Sequence, residues 1–380
     1  MKRLHSGLPR VALFLPSLGG GGAERVMLNL ARGFAEQGMG VDLVLASAEG
    51  PYLDQVPSGI NVVDLGAGRV IKSLVPRIRY LRKARPVAML SAIEHACVVS
   101  LWAARLARTN TRMVVTVHTT LSRYLDRSQW RSRLLFTIIR RFYPWADAVV
   151  VVSNAVRDDF LEATAMAPDN VRVIYNPVVT PELFEYAKAP VNHEWFAPGE
   201  PPVILGVGRL TQQKDFQSLL RAFALVRQQA PVRLVILGEG DERTELEKLA
   251  AELGISGDVD LHGFVDNPYA YMANAALFVL SSEIEGLPTV LIEALAVGVP
   301  VLSTDCPSGA REILDNGCWG KLVPVGDVCA MADGILESLR RERQTVSSEY
   351  AWRRFELQRV SREYAQLLVG DIDDQNVSGE

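Results

Sequence analysis

Short, unbroken apolar runs of strand length recur along the chain, each closed by glycine or a polar turn and followed by residues at helical spacing. In the first half the runs fall at 11–15, 41–46, 60–65, 113–117, 147–152 and 171–174. In the second half they fall at 203–207, 233–237, 258–262, 276–280 and 299–303. Runs without alternation predict strands buried on both faces, as in a parallel sheet covered by helices. The intervening helical patterns agree: Val26, Leu28, Leu30, Ala31 and Phe34 end at Gly38, and 289–297 stops at Gly298. Because the strand–loop–helix grammar starts afresh near residue 203, the chain predicts two doubly wound, Rossmann-like α/β domains facing across a cleft.

The break between the halves is a stretch rich in proline and charge, from Asn176-Pro177 through Pro181, Pro190, Pro198 and Gly199 to Pro201-Pro202, and it lacks periodicity. The expected division is an N-terminal domain at 1–178, a linker at 179–201 and a second domain at 202–345. A last helix at 346–370 is expected to return to the first domain, and an acidic tail at 371–380, with Asp371, Asp373 and Asp374, to be disordered.

At 380 residues, 48% apolar and 22% charged, the composition is that of a soluble globular chain of about two domains. No apolar run reaches the length of a spanning helix, and 11–18 is too short for a signal peptide. Cys97, Cys306, Cys318 and Cys329 lack metal-ligand spacing and read as reduced, consistent with a cytoplasmic protein. The net charge of −4 hides an asymmetry: residues 1–180 hold 23 Lys and Arg against 13 Asp and Glu, leaving 17 against 31 for the rest. Opposite balances of +10 and −14 suggest different partners for the two domains. The positive charge gathers at 69–85, with Arg69, Lys72, Arg77, Arg79, Arg82, Lys83 and Arg85. It gathers again at 123–145, with Arg127, Arg131, Arg133, Arg140 and Arg141 beside Trp130, Phe142 and Trp145. Such stretches suit an anionic membrane surface, or are helices with one face in the core and one in water. A nucleic-acid partner is not expected, as no binding motif accompanies them.

The chemistry centres on 281–295, where Glu285, Gly286, Leu287, Pro288, Thr289 and Val290 link a buried strand to a helix carrying Glu293. A helix N-terminus after a strand is an anion site. Carboxylates on either side of it accept from hydroxyls, so the ligand is expected to carry phosphate and sugar together. Arg209 and Lys214, beside Gly206 and Gly208, offer two cations for a departing diphosphate. In the first half, Gly19, Gly20, Gly21 and Gly22 form a loop that a dinucleotide fingerprint, a ligand-contacting loop or a plain turn could each explain. His118 ends the 113–117 strand, where it is either a ligand contact or a packed side chain.

Together these segments resemble the family 4 glycosyltransferases of the two-domain GT-B fold. The matching pieces are Gly19 to Arg25, Gly208-Arg209-Leu210 with Lys214, Leu237-Gly238-Glu239-Gly240, Asn176-Pro177, 304–309, and Glu285 with Glu293 after seven residues. The wording of 285–293 is most similar to bacterial transferases that build lipid-linked oligosaccharide, O-antigen or exopolysaccharide. The resemblance implies retaining transfer from a nucleotide-diphosphate sugar with no metal or other cofactor, UDP-sugar first and GDP-mannose second. It implies a glycan or polyprenyl-diphosphate-linked acceptor, met by a peripheral enzyme at the cytoplasmic membrane face. Arg209 and Lys214 would hold the diphosphate, and Glu285 and His118 the donor sugar. Gly286 to Val290 would meet sugar and phosphates, Glu293 the ribose, and the backbone of Val265 the base. Gly20 to Gly22 would lie near phosphates and acceptor. The alternatives are a GT-B nucleotide-sugar epimerase, a non-catalytic binding protein on the same fold and, less well supported, an NAD-dependent oxidoreductase.

Overall fold

The computed structural model describes residues 9–124, 130–307, 309–340 and 349–370. The expected tail at 371–380 and Arg127 lie outside these residues. Contacts divide the chain into two compact units, one of residues 1–177 with 357–380, the other of residues 178–356.

The first unit is a seven-stranded parallel sheet built from β1 (Arg10–Leu15), β2 (Gly40–Leu45), β3 (Asn61–Asp64), β4 (Ala88–Ser91), β5 (Arg112–Val117), β6 (Ala148–Val151) and β7 (Val171–Val173). Their spatial order is β3-β2-β1-β4-β5-β6-β7, so the winding reverses between β1 and β4. The strands are apolar on both faces because helices cover both: Val11, Leu13 and Leu15 pack with Val26, Met27, Leu30 and Phe34 of the helix Gly22–Glu36. The helix Leu357–Val369 joins the same core through Val360, Tyr364, Ala365 and Leu368. Gly33 makes that contact possible, since a Cβ there would fall 2.5 Å from Ser361 Cβ. The last helix thus belongs to the first unit from Leu357 onward.

The second unit is a six-stranded parallel sheet of β8 (Val203–Val207), β9 (Arg233–Leu237), β10 (Val259–Gly263), β11 (Leu277–Leu280), β12 (Val301–Thr304) and β13 (Lys321–Val323). Its order, β10-β9-β8-β11-β12-β13, reverses between β8 and β11. Leu219, Phe223 and Val226 of the helix Phe216–Arg227 pack with Ile335 and Leu336 of Val328–Arg340 over one face of this sheet.

Three local readings change. Residues 179–201 form part of the second unit rather than a free connection, and they carry the helix Pro181–Ala187, whose proline stands where the unpaired N–H of a first turn is not missed. Strand β4, the helix Glu94–Ala107 and strand β13 are elements that the sequence pattern does not predict. Arg77 is not on a solvated basic face. It is fully buried, 3.3 Å from the Phe14 ring centroid, and donates to Ser73, Ser100 and the Ala96 carbonyl. Burial lowers its pKa to about 9.

Candidate active site

In open α/β sheets ligands bind beyond the carboxyl ends of the strands where the winding reverses. In the second unit that point lies between β8 and β11, and most of the expected residues gather there. β8 runs into Gly208, Arg209 and Leu210, whose backbone continues the pairing with β9: Gly208 N–H donates to the Leu237 carbonyl at 3.0 Å and Leu210 N–H to that of Glu239 at 2.9 Å. The glycines opposite are required by this approach. At Gly238 (φ +143°) a Cβ would fall 1.9 Å from the Gly208 oxygen, and at Gly240 2.3 Å from that of Leu210. Gly208 in turn leaves room for the Lys214 stem, which passes 3.2 Å from where its Cβ would be. The chain then turns at Asp215, which caps the helix Phe216–Arg227 by accepting from Ser218 N–H at 3.1 Å.

The loop after β11 is stitched onto that turn. Ser281 Oγ donates to the Lys214 carbonyl at 2.7 Å, Glu283 N–H to that of Gln213 at 2.9 Å, and Gln213 Nε2 to that of Ile284 at 2.7 Å. On the other side Thr304 Oγ1 donates to the Ser282 carbonyl at 2.6 Å and Gly309 N–H to that of Gly286 at 2.9 Å. The loop is therefore anchored before any ligand arrives. Lys214 Nζ lies 2.5 Å from Glu285 Oε1, which also accepts from Ser282 Oγ at 2.8 Å. Arg209 is exposed, and no side-chain hydrogen bond or ion pair engages it among the described residues. It remains available for an anion.

Gly286, Leu287 and Pro288 are buried and lead into the helix Thr289–Val297, whose N-cap residue, Pro288, has no side-chain acceptor to cap the backbone N–H groups. Thr289 and Val290 are half-buried at that N-terminus, and Glu293 is buried one turn on, with Tyr269 Oη 3.5 Å from its Oε1. Among the described residues the arrangement presents an exposed cation, a cation–carboxylate pair, a helix N-terminus without a side-chain cap from its N-cap residue, and a second carboxylate. Such a set can hold a diphosphate and hydroxyls at once. Val265 is two strands away, half-buried in the turn after β10 and next to Phe264, which is 73% exposed.

The remaining expected residues sit in the first unit. Gly20 (φ +91°) and Gly21 lead to a helix that begins at Gly22, again without a side-chain cap. His118 directly follows β5 and is half-buried, its ring Nε2 2.9 Å from Thr116 Oγ1. Burial lowers its pKa to about 4, which keeps the imidazole neutral. Between these strand ends stands Glu94, at the end of β4, a residue that sequence reading passed over because the strand before it was hidden.

One group among the described residues has the makings of a metal site: His193, Asp260 and His262 bring three ligand atoms within 4.8 Å of one another. Its hydrogen bonds argue otherwise. Trp195 N–H donates to His193 Nδ1 at 3.1 Å, so the neutral ring carries its proton on Nε2 and donates it to Asp260 Oδ2 at 2.9 Å. The lone pair a metal would need is thus occupied. The same oxygen lies 2.9 Å from His262 Nδ1, and Tyr271 Oη lies 3.1 Å from His262 Nε2. The group clasps the end of β10, just before Phe264 and Val265, to the segment at 193–195.

Two family models match the chain, one over each unit. The model for "Glycosyltransferase Family 4" matches residues 20–181 and that for "Glycosyl transferases group 1" matches residues 191–354. The chain is thus a glycosyltransferase. It belongs to the family 4 glycosyltransferases of GT-B fold, with one Rossmann-like domain under each model. A Campylobacter jejuni protein, N-acetylgalactosamine-N,N'-diacetylbacillosaminyl-diphospho-undecaprenol 4-alpha-N-acetylgalactosaminyltransferase, is 28% identical over 96% of this chain and 100% of its own. A second transferase of that organism, which adds alpha-1,4-N-acetylgalactosamine to a diphospho-undecaprenol-linked glycan, is 25% identical over 95% and 98%. Among solved structures, Anabaena HepE in complex with UDP superposes with a TM-score of 0.75 at 22% identity, covering 95% of this chain and 99% of that one. WaaG, a glycosyltransferase of lipopolysaccharide biosynthesis, superposes at 0.71 with 19% identity, covering 95% and 100%.

Proposed function

We propose that the protein transfers a sugar, with retention, from a UDP-sugar to a polyprenyl-diphosphate-linked glycan in bacterial surface-polysaccharide or lipid-linked oligosaccharide synthesis. The single observation that carries this reading is the meeting of Arg209 and the Lys214–Glu285 pair with a helix N-terminus and Glu293, at the point where the second sheet reverses. The relatives' named acceptors and the UDP held by HepE support the choice of substrates. UDP-N-acetylhexosamine or UDP-hexose is the first choice of donor and GDP-mannose the second.

In the proposed step the acceptor hydroxyl attacks the anomeric carbon on the face the diphosphate leaves. The bond from that carbon to the phosphate oxygen breaks, its electron pair stays on the oxygen, and the acceptor proton passes to the same phosphate. Charge grows on the leaving group, so Arg209 and Lys214 do the work a metal would otherwise do, and no metal is required. Glu285 receives donor-sugar hydroxyls, Glu293 the ribose, the backbone at 286–290 the phosphates, and Val265 the base. His118 and the loop Gly20 to Gly22 lie toward the transferred sugar and the acceptor.

A thermal-shift panel of UDP-, GDP-, ADP- and dTDP-sugars, with and without EDTA, tests the donor. Ligand at a hundred times its Kd adds about 2.7 kcal/mol of stability. The expected result is a shift with UDP-sugars, insensitive to EDTA and abolished by Glu293→Ala. No shift with any nucleotide would sink the reading. Peripheral binding at the cytoplasmic membrane face belongs to the same proposal. It rests on Ile71, Val75 and Leu134, exposed beside Lys72, Arg79, Arg133 and Arg140. Salt-sensitive flotation with anionic liposomes checks it.

A further inference from the structure

The first sheet also reverses its winding, between β1 and β4, and the carboxylate standing there has been given no part in donor binding. β4 ends at Ser91, and two residues later Ile93 takes φ 73° and ψ 123° before the helix Glu94–Ala107 begins. Among the described non-glycine residues at positive φ, Ile93 alone is β-branched. Such a conformation costs about 1–3 kcal/mol and persists where the surroundings impose it, commonly at functional sites. Its effect is to set Glu94, half-buried, at the carboxyl edge of the sheet, where Thr119 Oγ1 donates to Oε1 at 3.4 Å. An acid in a first helical turn is favourable by itself, but that accounts neither for the strain nor for the bridge to the next strand end.

Thr119 follows His118, and the proton of that histidine can be placed. Thr116 Oγ1 lies 3.3 Å from the Ser91 carbonyl and 2.9 Å from His118 Nε2; with the hydroxyl proton on the carbonyl, its oxygen accepts from His118 Nε2–H. Nδ1 therefore carries a lone pair, and no hydrogen bond reaches it among the described residues. Two neighbouring strand ends thus offer a carboxylate and a neutral ring nitrogen, both acceptors. Groups that only accept select ligands rich in O–H donors.

We infer that Glu94, with His118 Nδ1, binds hydroxyls of the acceptor saccharide, and that Glu94 determines which acceptor is used. This rests on the transferase reading above, in which Arg209, Lys214, Glu285 and Glu293 of the second unit hold the donor. The test is made on the full chain with Glu94→Gln, Glu94→Asp and Ile93→Gly. It uses UDP-sugar and undecaprenyl-diphosphate-linked N-acetylhexosamine disaccharides as probes. Glu94→Gln is expected to raise the acceptor KM at least tenfold while leaving the UDP-sugar thermal shift and acceptor-free UDP release unchanged. Glu94→Asp should recover part of the loss, and Ile93→Gly, which keeps the carboxylate but frees its backbone, should fall between. A Glu94→Gln enzyme with acceptor kcat and KM within twofold of wild type overturns the inference. So does one that loses the donor shift, because the residue is then structural. A wild-type protein with no UDP-sugar shift overturns the donor reading and this inference with it.

Discussion

Lys214 Nζ and Glu285 Oε1 lie 2.5 Å apart, with the two side chains only 18% and 10% exposed. The cation expected on the diphosphate and the carboxylate expected on the sugar are therefore one unit, each holding the other in place. Removing one partner of a buried pair leaves an uncompensated charge and costs about 3–5 kcal/mol, whereas replacing both is far milder. Lys214→Met and Glu285→Gln are each expected to lower stability by about that amount in urea titrations. The double variant should regain most of it yet stay inactive. Singles that melt like wild type would show that the pair does not hold the loop.

Among the described residues no side-chain hydrogen bond or ion pair engages Arg209, which is exposed. Arg209→Ala should thus leave the Tm unchanged while lowering kcat by about 10²–10³, the usual cost of one group aimed at developing charge. Steady-state kinetics with UDP release as the readout checks it. Unchanged turnover would refute stabilisation of the leaving group by Arg209.

Gly238 carries no chemistry, yet a Cβ there would meet the Gly208 oxygen at 1.9 Å at a φ of +143°. Gly238→Ala must push the 208–210 turn, and Arg209 with it, away from β9. The expected outcome is a stability loss of about 1–3 kcal/mol together with weaker nucleotide-sugar binding, measured by chemical denaturation and calorimetric titration. A destabilised variant with intact donor affinity would separate the turn from the site.

His118 gives a pH dependence of definite sign. Its pKa falls from 6.5 to about 4 on burial, so between those values the unfolded chain binds the proton and the native chain does not. Its contribution to stability is complete above pH 6.5 and is lost as the pH drops toward 4. The loss should be about 2 kcal/mol, allowing for partial solvent screening of a half-buried ring. Comparing wild type with His118→Asn in urea titrations from pH 7.5 to 4 should show a shallower fall in the variant. Parallel curves would mean that the ring titrates normally.

Much of the fold was legible because parallel strands buried on both faces leave unbroken apolar runs, and eleven of these were read within a residue or two of their observed bounds. β4 was not. Residues 87–107 pass from strand to helix with no glycine or proline between, and periodicity cannot part a buried strand from the buried start of a helix. Arg77 looked like part of a solvated basic face because spacing alone does not reveal a cation enclosed by Phe14, Ser73 and Ser100.

By itself the sequence determined the strand ends, the glycines of the turns and the local order of Glu285, Gly286, Pro288 and Glu293, since these rest on contacts a few residues apart. Tertiary structure alone decided which polar groups meet. Lys214 and Glu285 are 71 residues apart, and Thr119 and Glu94 are 25 apart, just beyond the ends of neighbouring strands. Such pairings follow from the order of strands in a sheet, which brings carboxyl ends together regardless of distance along the chain.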